Sequence, residues 1–176
     1  MTTPARNRNQ ITILGIDPGS VKCGYGLVAF SGPSAAYLAS GTIAAPAAKP
    51  IQQRLRKIYE GLLGVIREHR PDEIVIEKIF FAKGVQAALS LGQARGIALL
   101  AAAIEDVPVQ ECSALQVKKS VAGYGHAEKE QVQKMVKMIL NVRGTLAPDS
   151  ADALALALCY GNAIKFTDAL HGSQAR

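Results

Sequence analysis

The sequence predicts an α/β domain built on a mixed five-stranded sheet with helices on both sides. Three short, apolar, β-prone runs come first, and helical and strand-like segments alternate after them. Consecutive strands pair as neighbours, and the alternation that follows places helices over both faces of a sheet. No internal repeat is present, and 176 residues with 49% hydrophobic content fit one domain with a substantial core. We expect the folded domain at residues 11–165, between disordered tails at 1–10 and 166–176.

The first half of the chain carries three strands and a helix. The strands are predicted at residues 11–17, 24–30 and 36–44. Turn chemistry in Pro-Gly-Ser at 18–20 separates the first two runs, which should therefore pair as a hairpin. The loop-like segment PAAKP follows the third run. Residues 51–69 then have apolar side chains at helical spacing, and Pro71 ends that helix.

The remaining elements alternate between strand and helix. Short strands are predicted at residues 73–77 and 107–112, and helices at 85–105, 128–142 and 150–164. Ile74, Val75 and Ile76 form an unbroken apolar run, as expected for a strand that is buried on both faces. The helix at 128–142 is amphipathic. The last helix is apolar nearly all round and should pack in the core.

Charge and cysteine usage narrow the class of protein. Twenty Lys and Arg against 14 Asp and Glu give a net charge of +6, which favours a polyanionic partner. Cys23, Cys112 and Cys159 lack partner histidines at zinc spacing, so we interpret them as isolated, reduced and mostly buried. The stretch MTTPARNRNQ lacks the apolar core of a signal peptide, and no segment approaches about 18 unbroken apolar residues. We expect a cytoplasmic protein without a membrane span.

Four acidic residues stand where an unpaired charge is costly to desolvate. Asp17 and Glu77 end apolar strands, whereas Asp149 and Asp152 open the apolar last helix. Acids three residues apart share one helix face, so the first turn of that helix must point into something polar, and the two strand ends are the obvious candidates. Hard oxygen ligands suit Mg²⁺ or Mn²⁺, and four converging carboxylates match a pair of ions.

Each acid also has an ordinary structural interpretation. Asp17 could open the turn that follows it. Glu77 could be a solvated acid paired with Lys78, and Asp149 could cap the last helix together with Asp152. For each acid in isolation the structural interpretation is the better one. The combination of all four favours the metal site.

The sequence around these acids closely resembles that of the RuvC Holliday-junction resolvases. The matching segments, spread over residues 11–165, are GIDPGS, AIEDVPV, LGQARG, QVKKSVAG, AEKEQVQ and DSADALALA. The resemblance implies an RNase H-like fold and a homodimeric endonuclease with two Mg²⁺ ions in each active site, for which Mn²⁺ could substitute. It implies paired nicks in a four-way DNA junction during recombination and repair, leaving 5′-phosphate and 3′-hydroxyl ends. It also implies work with a RuvA–RuvB branch-migration complex.

The resemblance carries over to individual residues. It assigns catalysis and metal binding to the four acids, Asp17, Glu77, Asp149 and Asp152. It assigns DNA contacts to Phe80, Lys118, Lys119 and Lys129. Of these, Lys118 and Lys129 are also expected to act in catalysis, as phosphate contacts near the cut site. Phe80 matches the aromatic residue that inserts at the junction crossover, where its ring can stack on a base.

Several alternatives stay open from the sequence. Lys134 and Lys137 are interpreted as solvated surface. The small residues Ala88, Gly92 and Gly96, four apart, permit close helix contact with the chain's own sheet or with a second subunit, and the sequence slightly favours the sheet. Actin-like and sugar-kinase ATPases share a turn like GIDPGS, but they need two lobes. A related RNA-processing nuclease is the nearest enzymatic rival. The sequence leaves it open because no residue indicates whether the 2′-hydroxyl of RNA is contacted.

Overall fold

The fold is a mixed five-stranded sheet between two helical layers, as the sequence predicts. The computed structural model describes residues 10–78 and 84–174, with side chains as far as residue 164. The strands are β1 (Gln10–Asp17), β2 (Lys22–Ser31), β3 (Ser34–Ala44), β4 (Glu73–Glu77) and β5 (Val109–Cys112). The helices are α1 (Ile51–His69), α2 (Val85–Ile104), α3 (Ala114–Ala122), α4 (Lys129–Ile139) and α5 (Pro148–Gln174).

The sheet has the strand order β3-β2-β1-β4-β5. β1 and β2 pair antiparallel, which confirms the predicted hairpin, and β3 continues the antiparallel half. β4 pairs with β1 in parallel and β5 with β4 in parallel. Since neighbouring parallel strands end at the same edge of a sheet, the last residues of β1 and β4 come together.

Alternation along the strands divides the core into two layers. Ile13, Val28 and Val75 pack with α3, α4 and α5 on one face. Leu14 and Ile16 pack with α1 and α2 on the other. Because side chains alternate with a period of two, the residues that end β1 and β4 project to the face that α5 covers.

Three glycines let α5 lie directly on the sheet. A Cβ added at Gly15 would collide with the carbonyl oxygen of Ala153, and one at Gly24 would collide with that of Asp149. At Gly26 an added Cβ would lie 2.5 Å from Cγ of a leucine on α5. The absence of side chains at these positions therefore sets the distance between α5 and strands β1 and β2.

Some element boundaries differ from those predicted. α3 was not assigned from the sequence, and β5 begins two residues later than expected. α5 does not end at residue 164, since its backbone continues to Gln174 through most of the segment interpreted as a tail. That segment, KFTDALHGSQ, contains no proline to stop a helix. Residues 1–9 lie outside the described part of the chain, and the domain boundaries stay predictions.

The cysteines are buried free thiols, as the sequence predicts. They are not all isolated, however, because Cys112 at the end of β5 lies against Cys159 on α5. The hydrogen bond between the two thiols and the burial of the site raise the pKa of Cys159. These two residues therefore form a contact between the sheet and α5. Cys112 pairs with Glu77, the last residue of β4, so the contact lies at the end of that strand.

Candidate active site

Two of the predicted acids lie side by side at one edge of the sheet. Asp17 is the last residue of β1 and Glu77 is the last residue of β4. The parallel register pairs Ile16 with Ile76, so the residue that follows each of them reaches the edge next to the other. Both carboxylates are half-buried and project toward α5.

The first two turns of α5 bring the other two acids to this edge. α5 begins at Pro148, whose fixed backbone suits the first helical position. Asp149 therefore lies inside the first turn and not at the capping position that the sequence also allowed. Its carbonyl and Cβ lie over Gly24 of β2. Asp152, three residues further on, faces the strand ends.

The strand ends and three helices enclose a cleft of about 340 Å³. Its polar lining residues are Asp17, Glu77, Lys118, Lys129 and Asp152, and its apolar ones are Ala114, Val117, Val132, Ala155 and Leu156. The structure thus brings five of the predicted site residues into one space. Asp149 lies beside the cleft, near enough for its charge to act on Asp17.

Lys118 reaches the cleft from α3, the helix that was not predicted from the sequence. The hydroxyl of Ser113 accepts a hydrogen bond from the backbone N–H of Gln116 at 3.2 Å, and the Gln116 side chain accepts one from the backbone N–H of Ser113 at 2.8 Å. This capping box stabilises the helix start. Gly123, with a φ of 87°, ends the helix. The Ser-x-x-Gln spacing and the glycine were the signals that could have revealed α3.

Burial and like charge oppose the ionised form of Asp17. Loss of solvent contact, the largest cause, and the charges of three neighbouring carboxylates together raise the pKa of this carboxyl from 3.8 to about 7. The three carboxylates are those of Asp152, Glu77 and Asp149. Burial also raises the pKa of Glu77, and the charge of Asp152 adds to that effect. The Lys129 ammonium opposes both shifts without cancelling them, so the positive charge at the site does not offset the burial and mutual repulsion of the carboxylates.

Two residues of α4, one helical turn apart, hold Asp152. Lys129 Nζ forms an ion pair with Asp152 Oδ2 at 2.5 Å. Gln133 Nε2 donates a hydrogen bond to Asp152 Oδ1 at 3.4 Å. The hydrogen bond to Asp152 raises the pKa of Lys129. Gln133 was not predicted as a site residue, although its position four residues after Lys129 places it on the same helix face.

The donor set suits a divalent metal ion. Carboxylate oxygens are the ligands that Mg²⁺ and Mn²⁺ prefer, and a cation would relieve the repulsion that raises the pKa of Asp17. Among the described residues, no three acidic, histidine or cysteine side chains stand close enough together to enclose an ion. The ammonium of Lys129 supplies the positive charge in this arrangement. The carboxylates fit a metal ion if they turn toward it as it binds.

The other predicted site residues lie further out. Lys119 is exposed and is not part of the cleft lining. Lys134 is also exposed, in line with its interpretation as surface. Lys137 does not project freely into solvent, because its Nζ donates a hydrogen bond to the Gly144 carbonyl at 2.6 Å. It therefore ties α4 to the loop that precedes α5.

The aromatic residues that follow Glu77 lie outside the described residues. Phe80 and Phe81 fall in the segment 79–83, between β4 and the start of α2. The family resemblance assigned Phe80 to the junction crossover. That assignment stays a prediction.

The small residues of α2 face outward. Nothing lies within 4 Å of a Cβ added at Gly92 or Gly96, and the helix contacts the rest of the fold through a different face, which includes Ala94 and Ala98. Packing of the small residues on the chain's own sheet, the favoured expectation, is therefore wrong. Large apolar side chains are exposed along the same helix: Val85, Leu89, Leu99, Leu100 and Ile104. Among the described helices, α2 alone has the length and apolar composition to cross a membrane, which by itself is weak evidence.

Comparison with known sequences identifies similar proteins over most of the chain. The family model described as "Crossover junction endodeoxyribonuclease RuvC" matches residues 13–160. A relative of that name from Geobacter sulfurreducens is 48% identical over 150 residues, which cover 85% of this chain and 92% of the relative. Another from Saccharophagus degradans is 47% identical over 150 residues, covering 85% and 87% of the two chains.

Solved structures agree with the fold. T. thermophilus RuvC in complex with a Holliday junction substrate has a TM-score of 0.84 and 34% sequence identity, over 89% of this chain and 96% of that one. The yeast mitochondrial Holliday junction resolvase Ydc2 has a TM-score of 0.61 at 11% identity, over 85% and 78% of the two chains. At that identity the second likeness concerns the fold alone.

Proposed function

Because this chain belongs to the RuvC family of crossover junction endodeoxyribonucleases, we propose that it resolves four-way (Holliday) DNA junctions by metal-dependent phosphodiester hydrolysis. The observation that carries the proposal is the cleft in which acids from two strand ends and α5 lie beside Lys118 and Lys129. Carboxylates that repel one another favour a bound cation, and lysines next to them suit a phosphate. The reaction would serve homologous recombination and DNA repair.

The four acids would hold two Mg²⁺ ions, with Mn²⁺ as a substitute, and these acids are Asp17, Glu77, Asp149 and Asp152. When bound, the ions would supply Lewis-acid stabilisation of the phosphoryl group and lower the pKa of a water for in-line attack. The protein's own part is to keep the carboxylates at one sheet edge and to exclude solvent from Asp17. The products would carry 5′-phosphate and 3′-hydroxyl ends.

Lys118 and Lys129 would position the phosphate at the cut site and offset its charge as the bond breaks. A phosphate in the cleft would compete with Asp152 Oδ2, now 2.5 Å from Lys129 Nζ, for the ammonium of Lys129. DNA binding would therefore draw Lys129 away from Asp152. Lys119, on the exposed side of α3, would contact the DNA backbone outside the cleft.

Phe80 would stack on a base where the strands cross. The family resemblance supports this role, as does its place three residues after Glu77 in the sequence. Stacking of one base on an aromatic ring contributes about 1–3 kcal/mol. That energy would hold the crossover open and bring the phosphate to the acids.

A second copy of the chain is the proposed partner of α2. Support comes from the exposed apolar side chains of this helix, of which Val85 is 79% and Leu89 is 61% exposed. Gly92 and Gly96 continue the same face and leave room for a helix to approach closely. A two-fold homodimer would place two equivalent active sites on the two strands that are cut. The RuvA–RuvB complex as a partner and a cytoplasmic location stay expectations.

The test is cleavage of a synthetic mobile four-way junction, compared with linear duplex and with an RNA hairpin. We expect paired nicks in the junction when Mg²⁺ or Mn²⁺ is present, none with a chelator, and ends that DNA ligase can reseal. Asp17→Asn should bind the junction without cutting it. Asp106→Asn, which changes an exposed aspartate elsewhere, is the matched control. Cleavage without metal, or a preference for the RNA hairpin, would refute the proposal.

A further inference from the structure

Gln133 contacts the oxygen of Asp152 that Lys129 does not. Lys129 pairs with Oδ2, whereas the amide of Gln133 donates to Oδ1. The two side chains come from consecutive turns of α4, since residues four apart lie on one helix face. Asp152 is therefore held at both oxygens by a single helix, once by a charge and once by a neutral donor.

The two contacts differ in what DNA and metal would do to them. A phosphate in the cleft would compete for the ammonium of Lys129, and a cation near Asp152 would repel it. Neither would displace the amide of Gln133, because the amide carries no charge. The bond of 3.4 Å is long while Lys129 is in place, and departure of the lysine would free the carboxylate to turn toward Gln133.

The helix that carries Gln133 is fixed to its surroundings. Val132 and Val136 are buried beneath it, 6% and 0% exposed. At the other end of α4, Lys137 bonds to the carbonyl of Gly144 in the loop before α5. A donor on such a rigid support can define the direction of a carboxylate more accurately than one on a loop.

We propose that Gln133 is a positioning residue for the metal site: its amide keeps Asp152 directed into the cleft after Lys129 has moved to the phosphate, and leaves Oδ2 open to the metal. The inference rests on the proposed function, since it takes Asp152 as a ligand. Hydrogen-bond partners of metal-binding carboxylates act in this way in other sites, and their loss costs about 10–100-fold in metal affinity or activity.

Two substitutions separate the hydrogen bond from packing. Gln133→Ala removes the side chain and favours the helix, whereas Gln133→Met keeps its length and removes only the polar amide group. Gln131 provides the matched control, because it lies on the same helix, is exposed and bonds to Tyr124 instead of to an acid. Both changes are therefore repeated as Gln131→Ala and Gln131→Met.

The first readout is the melting temperature of the full chain during titration with Mg²⁺, and in parallel with Mn²⁺, without DNA. We expect both Gln133 variants to need about 10–100-fold more metal than the wild-type protein to reach the same rise in melting temperature. The Gln131 variants should follow the wild type. The second readout is junction cleavage at limiting metal, where kcat should fall in the Gln133 variants while KM for the junction stays unchanged.

The outcomes separate the inference from the proposed function. If metal does not stabilise the wild-type protein and it does not cut, the proposed function fails and the inference fails with it. If the wild type responds to metal and both Gln133 variants reach the same rise in melting temperature at metal concentrations within twofold of the wild type, the inference alone is overturned. A shift in Gln133→Ala without one in Gln133→Met would assign the effect to packing and would also overturn it. Measured against Lys129→Met alone, which lacks the competing ammonium, adding Gln133→Met should still raise the metal requirement, since Asp152 then has neither of these partners; an unchanged requirement would overturn the inference.

Discussion

Among single residues, Asp17 connects the stability of the protein to its chemistry. Its pKa is about 7 in the folded protein, against an ordinary value of 3.8, because burial and nearby carboxylates disfavour the charged form. Between these two values the folded protein binds a proton that the unfolded chain has lost. The free energy of unfolding therefore decreases as the pH rises from about 4 to about 7. At about 1.4 kcal/mol per pKa unit, the decrease has an upper value of roughly 4 kcal/mol.

Asp17→Asn should remove this pH dependence. Without metal at pH 8 we expect the variant to melt several degrees higher than the wild type, at roughly 2–4 °C per kcal/mol for a chain of this size. At pH 4 the two proteins should melt alike, because Asp17 is then protonated in the folded wild type. Mg²⁺ should raise the melting temperature of the wild type more than that of the variant. A variant less stable than the wild type at pH 8 would contradict the repulsion inferred at this site.

Lys118 allows a test of phosphate contact that does not disturb the ion pair of Asp152. Lys118→Ala should weaken junction binding on every sequence alike and lower the slope of log K against log salt by about one unit. Lys57→Ala is the control, since it removes the same charge from an exposed position on α1, in the opposite helical layer. Equal salt slopes for wild type and Lys118→Ala would exclude a phosphate contact by this lysine.

At the scale of elements, local patterns predicted most of the strands and helices but not all. The hairpin of β1 and β2 could be recognised because a turn motif separates two β-prone runs. α3 was missed because a helix of 9 residues is too short to show a clear apolar periodicity. Its best signals are the capping box of Ser113 and Gln116 at its start and Gly123 at its end. The outward direction of Gly92 could not be read from spacing, since small residues suit the chain's own sheet and a second subunit equally well.

The face of α2 leads to a prediction about assembly. Gly92→Glu should fold normally, because nothing lies within 4 Å of an added Cβ and glutamate favours a helix over glycine. In a two-fold dimer the change would bring two unpaired charges together, which is strongly destabilising. We expect the wild type to sediment as a dimer and the variant as a monomer that cuts junctions poorly.

The control for this experiment is Gly64→Glu. Gly64 is an exposed glycine inside α1 and also has open space around an added Cβ. This variant should remain a dimer. A Gly92→Glu protein that dimerises as tightly as the wild type would exclude α2 as the interface.

At the scale of the whole molecule, the site depends on contacts that no local pattern encodes. The four acids could be proposed from their places at strand ends and at a helix start, and from the family resemblance. The order β3-β2-β1-β4-β5, which places Asp17 next to Glu77, depends on long-range pairing. The contact of Gln133 with Asp152 likewise depends on how α4 crosses α5. Sequence patterns carry little information about such distances.

Gly24 provides a test of this long-range dependence. Gly24→Ala would push a methyl group into the carbonyl of Asp149 and shift the start of α5. We expect overpacking to cost about 1–3 kcal/mol of stability. We also expect kcat to fall by about 100-fold, as a displacement of about 1 Å in a catalytic group does. The measurements are the melting temperature and cleavage at saturating junction and metal.

Gly61→Ala is the matched control for Gly24→Ala. Its added methyl group would press on the side chain of Ile43, 2.7 Å away, in the layer that does not carry α5. It should lower the melting temperature while kcat changes little. If both variants lose activity in proportion to their loss of stability, the position of α5 is not what Gly24 controls.

The contact between α5 and the bare backbone of β1 and β2 also has a genetic consequence. Every amino acid that can replace glycine brings at least a Cβ, so no missense change in the codons for Gly15, Gly24 or Gly26 is conservative. Surface codons accept many exchanges, whereas here the smallest replacement already enters space that α5 occupies. Random mutagenesis under selection for junction cleavage should therefore leave these three codons depleted of substitutions, although none of them encodes a reactive group.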